Sequence, residues 1–567
     1  MRSLALWFGT FSLAAAFNNP PGVDIWCGKA YRASNASFEP GGWLVQPAPS
    51  LEPLLDLRVR PRMNLYTDDE LWGSFIVDAA LSHINGYHYD HDTDIGNGHD
   101  RAHEGSNVLY VDISLANGRA DLVSSAVIPV NTTSNEVSFS LSRLEPQFDP
   151  YEIVLRAVSS DGNRSYTART QLYRLPSRTD GGSITKLDRL YGGLLVKNEH
   201  TDWEPILPYS FYVSWGGWLE KSLDNVQYFK DQGYNIVHII PNGGQPFNFT
   251  ELNIFLDKCD EIGLWIMYDM RWTYQNATSV EEQVNMLKSR KSMLLWYTGD
   301  EPDGNSDPVN APKIAYDQIK SLDPWHPVSL CLNCYNFYYK EYSSGADIIL
   351  SDVYPIAVNT SYSEVYGTVC NATYGCCGCD DCKGDMEDIS DRLDVFAQYQ
   401  EWIGGPPKTF WGVPQAFGNE SFWKRYPTSE EEVTMNMLSI NHNAKGIVMW
   451  TYPTSSGLSA VTSKLSRALL RKDVTSYLLG SHTTALEATG QGRIDAAGWR
   501  VGKQMLVSIL YLEYKDLQSE ITVTLPSKAA SVSEVLWGPG GWSVSGGKLV
   551  KDGVTGLESS LLVVTLL

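Results

Sequence analysis

Positive charge is in short supply: 44 Lys and Arg face 66 Asp and Glu, giving a formal net charge of −22 at pH 7 and a pI near 4.9. So acidic a chain repels phosphate backbones and anionic headgroups, which argues against nucleic acid and membrane surfaces as partners. Histidine is scarce, 10 in 567 residues, and no Gly-x-Ser-x-Gly elbow occurs, so an esterase-type Ser-His-Asp site is disfavoured. Apart from His326 in a linker-like stretch, only His238 and His442 fall within the central helical and strand pattern. No later apolar run approaches the roughly 20 residues a membrane helix needs, and Leu561-Leu562-Val563-Val564 is too short for a lipid-anchor signal. What is plentiful is aromatic surface, 12% of residues with 18 Trp and 31 Tyr, and flat apolar faces suit ligands such as sugar rings.

Met1-Arg2, an apolar stretch from Leu4 to Leu13 and the small residues Ala14-Ala15-Ala16 precede Asn18-Asn19-Pro20-Pro21, which predicts a secretory signal peptide over residues 1–16. Eight Asn-x-Ser/Thr sequons agree with export: Asn35, Asn131, Asn163, Asn248, Asn276, Asn359, Asn371 and Asn419. The expectation is a secreted, extracellular, soluble glycoprotein, monomeric and fungal in style. Nine cysteines are an odd number, so at least one thiol stays unpaired or pairs elsewhere, and seven of them lie between Cys331 and Cys382. Cys331-x-x-Cys334 and Cys379-x-x-Cys382 could hold zinc, but an oxidising compartment favours disulfides and a stapled loop.

Between Pro53 and Pro176 short alternating runs such as Asn107–Ser114 and Glu136–Leu141 are separated by turn-formers, with Asp161-Gly162 as a hairpin signal. This predicts an immunoglobulin-like β-sandwich within residues 17–185. From Glu204 strand-like runs alternate with helical periods. Leu219, Leu223, Val226 and Phe229 are spaced for one helix face before the strand Ile236–Ile240, and Leu252, Phe255, Leu256 and Ile262 precede Leu264–Tyr268. Ser279-x-x-Glu282 and Thr428-x-x-Glu431 read as capping boxes of the third and seventh helices. Counting Tyr209–Val213, Leu294–Tyr297, Val328–Leu330, Asp347–Leu350, Thr409–Val413 and Gly446–Trp450 gives eight strands. Eight strands in about 250 residues predict a (β/α)8 TIM barrel over 200–465 rather than a doubly wound sheet, since no Gly-rich phosphate loop follows the first strand. Short strands beyond Asp473 predict a second β-sandwich over 470–567.

A barrel of this kind carries its chemistry at the C-terminal strand ends. Those ends offer Trp215 after the first strand, Asp269, Arg271 and Trp272 after the third, Asp300-Glu301-Pro302 after the fourth, Asp352 and Tyr354 after the sixth, Gln415 after the seventh and Trp450 at the eighth. Carboxylates among aromatics are what hydrolysis of a glycosidic bond requires: a proton donor for the leaving oxygen, a second carboxylate, and stacking surfaces. Trp215 and Trp272 read as stacking residues, whereas Trp411 and Trp450 serve equally well as barrel filling.

Asp300-Glu301-Pro302, at the end of the fourth strand, resembles the Asn-Glu-Pro of clan A glycoside hydrolases, whose Glu is the acid/base. Over the barrel alone, the resemblance implies a glycosidase acting on a polysaccharide or glycan, with Glu301 as general acid and no cofactor. Two positions depart from it: Asp300 replaces Asn, and the seventh strand, where the clan carries its nucleophilic Glu, offers Gln415. Glu420, inside the sequon Asn419-Glu420-Ser421, reads as a solvated loop residue. Asp352 is the better-placed second carboxylate, with Asp269 behind it. If Asp352 and Glu301 face each other across about 6.5–9.5 Å, an inverting mechanism follows; otherwise Asp352 caps a turn or pairs with Arg271. The Asp300-Glu301 pair also resembles the adjacent Asp-Glu of beta-N-acetylhexosaminidases, in which the substrate's acetamido group is the nucleophile, Asp300 would orient it and Glu301 would protonate. A sugar-binding protein on a degenerate barrel is the reading from another class.

Five histidines, His83, His88, His91, His99 and His103, are interleaved with Asp90, Asp92, Asp94, Asp100 and Glu104. They match no calcium-loop spacing and read as a polar hairpin loop, so no metal is expected. The acidic run Ser429-Glu430-Glu431-Glu432 reads as a helix N-terminus.

Overall fold

The computed structural model describes residues 22–35, 41–89, 107–116, 122–199, 201–243 and 246–567. The expected signal peptide and His91, His99 and His103 lie outside the described residues. Among the described residues no helix is long and apolar enough to cross a membrane.

Two four-stranded antiparallel sheets form the first sandwich. One runs Ser165–Leu172, Tyr151–Ser159, Val108–Leu115, Leu122–Pro129, and the other Tyr87–His88, Leu54–Pro61, Trp72–Ser82, Thr132–Ser140. Alternation decides which side chains enter: Leu55, Leu57 and Val59 point inward from one strand and meet Phe75, Leu109, Ile153 and Leu155. The Asp161-Gly162 hairpin forms, with Gly162 at φ +76°.

The central body is a closed parallel barrel of eight strands: β1 (Tyr209–Ser214), β2 (Ile236–Ile240), β3 (Trp265–Asp269), β4 (Met293–Asp300), β5 (Val328–Leu332), β6 (Ile348–Ser351), β7 (Thr409–Gly412) and β8 (Ile447–Tyr452). The predicted TIM barrel is therefore the observed fold, flanked on both sides by antiparallel sheets. Its strands are buried on both faces, which is why they read as continuous apolar runs such as Met293-Leu294-Leu295-Trp296-Tyr297. The helices α1 (Asp224–Asp231), α2 (Phe249–Ile262), α3 (Ala277–Leu287), α4 (Ala311–Leu322), α5 (Tyr339–Ser343), α6 (Glu387–Ile403), α7 (Ser429–Asn441) and α8 (Ser456–Leu469) follow the strands in turn.

Two local expectations change and one holds. The single stripe from Leu219 to Phe229 is a 3-10 turn, Leu219–Lys221, followed by α1, and Leu223 is exposed between them. The third helix is capped by Asn276, whose Oδ1 accepts from Ser279 N, so Ser279 lies inside the first turn rather than at the cap. The capping box of Thr428 and Glu431 is present in full.

A three-stranded sheet, Ile184–Leu187, Leu194–Lys197 and Glu204–Ile206, was not expected. Its Leu187, Leu194, Val196 and Ile206 pack with Ile236, Leu294 and Ile348, near the N-terminal ends of barrel strands. That end is closed, which leaves the C-terminal ends for chemistry. Past α8 the chain forms a further helix, α9 (Lys472–Gly480), before strands return at Thr484–Ala485. A five-stranded and a four-stranded sheet then make the C-terminal sandwich. It packs on α7, and α7 is consequently buried almost all round instead of on one stripe.

Three disulfides form, Cys27–Cys334, Cys370–Cys377 and Cys379–Cys382, and three thiols stay free where parity requires one: Cys259, Cys331 and Cys376. Cys331 and Cys334 do not act together, because Cys331 packs in the barrel core while Cys334, beyond the strand end, meets Cys27.

Candidate active site

Chain direction at the end of β4 separates two neighbouring carboxylates. Asp300 is still in register with Cys331 of β5, and its side chain stays with the barrel-axis groups. Glu301 adopts φ +50°, the left-handed region that a non-glycine residue enters at a cost of about 1 kcal/mol or more. The conformation is held by Glu301 N donating to Cys331 O at 3.2 Å and by Asn305 N donating to Glu301 O at 2.9 Å. The Glu301 side chain is thereby turned onto the wall of a cavity of about 260 Å³.

Aromatic rings make most of that cavity: Trp26 and Tyr31 from the N-terminal segment, Tyr354 beyond β6, Tyr366, and Phe422 and Trp423 between β7 and α7. Asn333, Cys376 and Gly378 complete it. Asp352 lies behind Glu301, buried, and the two carboxyls are hydrogen-bonded to each other. Asn333 Nδ2 donates to Glu301 Oε1 at 3.2 Å and to Asp352 Oδ1 at 3.5 Å. Burial, then the charge of Asp352 and the hydrogen bond to it, with smaller contributions from Asp300 and Asp303, push the Glu301 carboxyl well above its ordinary range. Burial also raises Asp352, but the hydrogen bond from Glu301 opposes the rise. Two buried carboxyls in contact resist ionising together, and the stronger upward push falls on Glu301. The inverting reading is conditional on the two carboxyls facing each other across a water-filled gap, whereas here they lie together and Asn333 Nδ2 reaches both.

Asp303, on the same loop, is pushed up to about 7 by burial, against three backbone N–H donors at Gly304, Asn333 and Cys334. These contacts tie the Glu301 loop to the end of β5.

A second group of predicted residues meets on the barrel axis, outside the cavity lining. Asp269 is buried and accepts from His238 Nε2 and from the backbone N and Nε of Arg271, each at 2.8 Å. Burial alone would raise its carboxyl, but Arg271 and His238 outweigh that and hold it below the usual value. Arg271 also reaches Asp300 Oδ2 at 2.5 Å, and Tyr297 donates to Asp300 Oδ1 at 2.5 Å. The guanidinium stands 5.4 Å from the ring centre of Trp450 and 5.5 Å from that of Tyr212. Arg271 therefore pairs with Asp269 and Asp300, not with Asp352.

The remaining predicted residues scatter. Trp215 is buried against Phe247 and Phe255, and so fills the core instead of offering a stacking face. Trp272 is 54% exposed. Gln415 is fully buried, its Oε1 accepting from Ile356 N and its Nε2 donating to the carbonyls of Ile356 and Phe417. Its amide holds loop backbone together, and β7 contributes no carboxylate at that position. Sequence reasoning missed Trp26, Tyr31, Asn333, Tyr366, Phe422, Trp423 and Asp303. Asn333 and Asp303 stand at strand ends and were open to the same reasoning that found Asp352; Trp26 and Tyr31 lie in a segment with no pattern of its own.

Among the described residues one group of three potential metal ligands converges, Cys27, Cys334 and Asp380, and its two sulfurs are bonded to each other.

No protein-family model matches this sequence, and no curated protein matches it. Among solved structures the chain is similar to a family 39 glycoside hydrolase from the gut symbiont Bacteroides cellulosilyticus WH2, with 11% identity, a TM-score of 0.43, and coverage of 89% of this chain and 100% of that one. It is similar to an FMN-binding beta-glucuronidase from Facaelibacterium prausnitzii L2-6 at 12% identity and a TM-score of 0.34, covering 91% of this chain and 70% of that one. A third structure, described only as a glycoside hydrolase, has 12% identity and a TM-score of 0.44, covering 68% of this chain and 97% of that one.

Proposed function

We propose that this protein is a secreted glycoside hydrolase, monomeric in action, that cleaves O-glycosidic bonds of an extracellular polysaccharide or glycoconjugate with Glu301 as general acid. One observation carries the reading: a buried carboxyl, pushed well above its ordinary range by burial and by Asp352, stands on the wall of an aromatic cavity near the C-terminal ends of the barrel strands. A sugar ring stacked in that cavity would present its glycosidic oxygen to Glu301. Proton transfer to that oxygen breaks the bond to the anomeric carbon, and Asp352 is left as the carboxylate nearest the developing positive charge. With Gln415 bonded to backbone, attack on the anomeric carbon falls to water or to a 2-acetamido group of the substrate. The Asp300-Glu301 adjacency favours the acetamido route, although Asp300 is engaged by Arg271 and Tyr297.

Secretion is supported by the apolar N-terminal stretch, by three disulfides and by the sequons, of which Asn131, Asn163, Asn248, Asn276, Asn359, Asn371 and Asn419 are exposed. Asn248 and Asn276 cap helices through Oδ1, and a glycan would attach at Nδ2, so the two roles are compatible.

The alternative, a sugar-binding protein without turnover, is favoured by Gln415 alone. Proton NMR of the purified protein with plant, fungal and bacterial polysaccharides separates the two readings. Wild type should release new anomeric signals, and Glu301→Gln should release none while still binding. Hydrolysis retained in Glu301→Gln would overturn the assignment of the acid, and binding without release in both proteins would establish the binding-protein reading.

A further inference from the structure

Two residues far apart in sequence meet twice. Trp26 Nε1 donates to Asn333 Oδ1 at 2.7 Å, and their chain neighbours Cys27 and Cys334 form a disulfide. Trp26 sits on a two-stranded hairpin, Ile25–Trp26 paired with Lys29–Ala30, whose turn residues Cys27 and Gly28 are both at positive φ. Lys29 anchors the hairpin to Asp380 and Asp381 at 2.7 and 2.8 Å. The indole also has a made seat: a Cβ on Gly304, in the loop just after Glu301, would lie 2.5 Å from Trp26 Cζ2. Gly304 is not in a left-handed conformation, so it is the close approach of the ring that requires glycine here.

The chemistry of the indole settles the orientation of the amide. An indole N–H can only donate, so the atom of Asn333 facing it must be the oxygen, and the NH₂ group must face the opposite way. That way lie Glu301 Oε1 and Asp352 Oδ1. The rest of Asn333 is equally constrained, since its N–H donates to Asp303 and its carbonyl accepts from Arg392.

We infer that Trp26 is a positioning residue for the Glu301 and Asp352 pair: its indole N–H, held by the Cys27–Cys334 bridge and seated on Gly304, fixes the Asn333 amide so that Nδ2 donates to both carboxyls. The catalytic consequence rests on the reading of Glu301 as general acid; the electrostatic consequence does not.

Trp26→Phe keeps an apolar wall and removes the N–H. The amide is then free to turn, and a carbonyl oxygen facing the pair disfavours its charged form. The other groups facing the pair are Asp300 at the end of β4, Asp303 on the Glu301 loop, Cys331 on β5, Arg392 on α6, Tyr354 beyond β6 and Tyr31 of the N-terminal segment, all unchanged in the variant. With Glu residues labelled with ¹³C at the side-chain carboxyl, and the Glu301 signal assigned by its loss in Glu301→Gln, the titration midpoint should move to higher pH in Trp26→Phe. On a hydrolysed glycan, kcat should fall about ten- to hundredfold with KM little changed, and the alkaline limb should move the same way. An unmoved Glu301 midpoint would overturn the inference, because loss of a merely structural contact lowers stability without shifting that signal. If Trp26→Phe does not fold, Gly304→Ala, which displaces the ring without altering a polar group, is judged by the same midpoint. If wild type cleaves no glycan, the hydrolase reading fails, and the carbon signal still decides this inference.

Discussion

Two buried carboxyls in contact cannot both ionise without a large electrostatic cost, and beside Asp352 the Glu301 carboxyl is accordingly pushed well above its ordinary range. The sign of the resulting pH dependence is fixed. On the proposed reading the acid works while protonated, so kcat/KM should persist above the pH at which an ordinary glutamate ionises and fall as pH rises through the raised pKa of Glu301. Replacing the proton-bearing group, Glu301→Gln, should reduce kcat by about 10²–10⁴-fold. Asp352→Asn is more informative. It removes a charge that raises Glu301, so the alkaline limb of the rate profile should move to lower pH; a shift to higher pH would show that Asp352 acts in some other way. Glu301 was legible in the sequence because Asp300-Glu301-Pro302 is local and ends a recognisable strand. Asn333 was less so, since an asparagine gains a role only when Trp26 and the two carboxyls lie beside it.

At the scale of elements, α7 shows how context alters a helix that was correctly expected. Thr428 and Glu431 close its capping box, and Glu431 also accepts from Arg425 and from Tyr514 of the C-terminal sandwich. The next residue, Glu432, is fully buried; one oxygen accepts from Asn436 and Oε2 has no partner. Burial pushes its carboxyl up to about 8. Between the ordinary glutamate value and about 8 the native state holds a proton that the unfolded chain has released, so this group's stabilising contribution is lost as pH rises through that window. Glu432→Gln should flatten the wild-type decline in Tm between pH 5 and 9, measured by thermal unfolding in matched buffers. Equal slopes in the two proteins would contradict the assignment. No pattern in the sequence separates Glu432 from the exposed Glu430, because both belong to one acidic run and only tertiary packing, which sets Glu432 near Tyr209 and Tyr234 of the barrel, distinguishes them.

Across the whole molecule, the Cys27–Cys334 bridge joins residues 307 apart and ties the N-terminal hairpin to the end of β5. Cross-links that close long loops stabilise by about 2–5 kcal/mol. Cys27→Ser with Cys334→Ser should lower Tm, and should also weaken sugar binding, since Trp26 and Tyr31 form part of the cavity. Unchanged binding in the double variant would mean that the hairpin keeps its place through its remaining contacts, Trp26 with Asn333, Lys29 with Asp380 and Asp381, and Ala30 with Tyr374. The three-stranded sheet over the other end of the barrel acts in the complementary sense, burying Leu187, Leu194, Val196 and Ile206 against the strand beginnings.

Periodicity alone determined the eight barrel strands and most of their helices, because hydrophobic repeats of 2 and 3.6 residues are local signals that burial enforces. It also determined the place of Glu301, because a barrel directs chemistry to strand ends. Tertiary structure decided the rest. Trp26, Tyr31, Tyr366, Phe422 and Trp423 become cavity walls only when distant segments converge. Asp352 becomes a neighbour of Glu301 rather than a distant base because the ends of β4, β5 and β6 converge there, with Asn333 reaching both carboxyls. Gln415 and Trp215 leave the binding surface because backbone and core contacts claim them, and no residue pattern records contacts made across such distances in the chain.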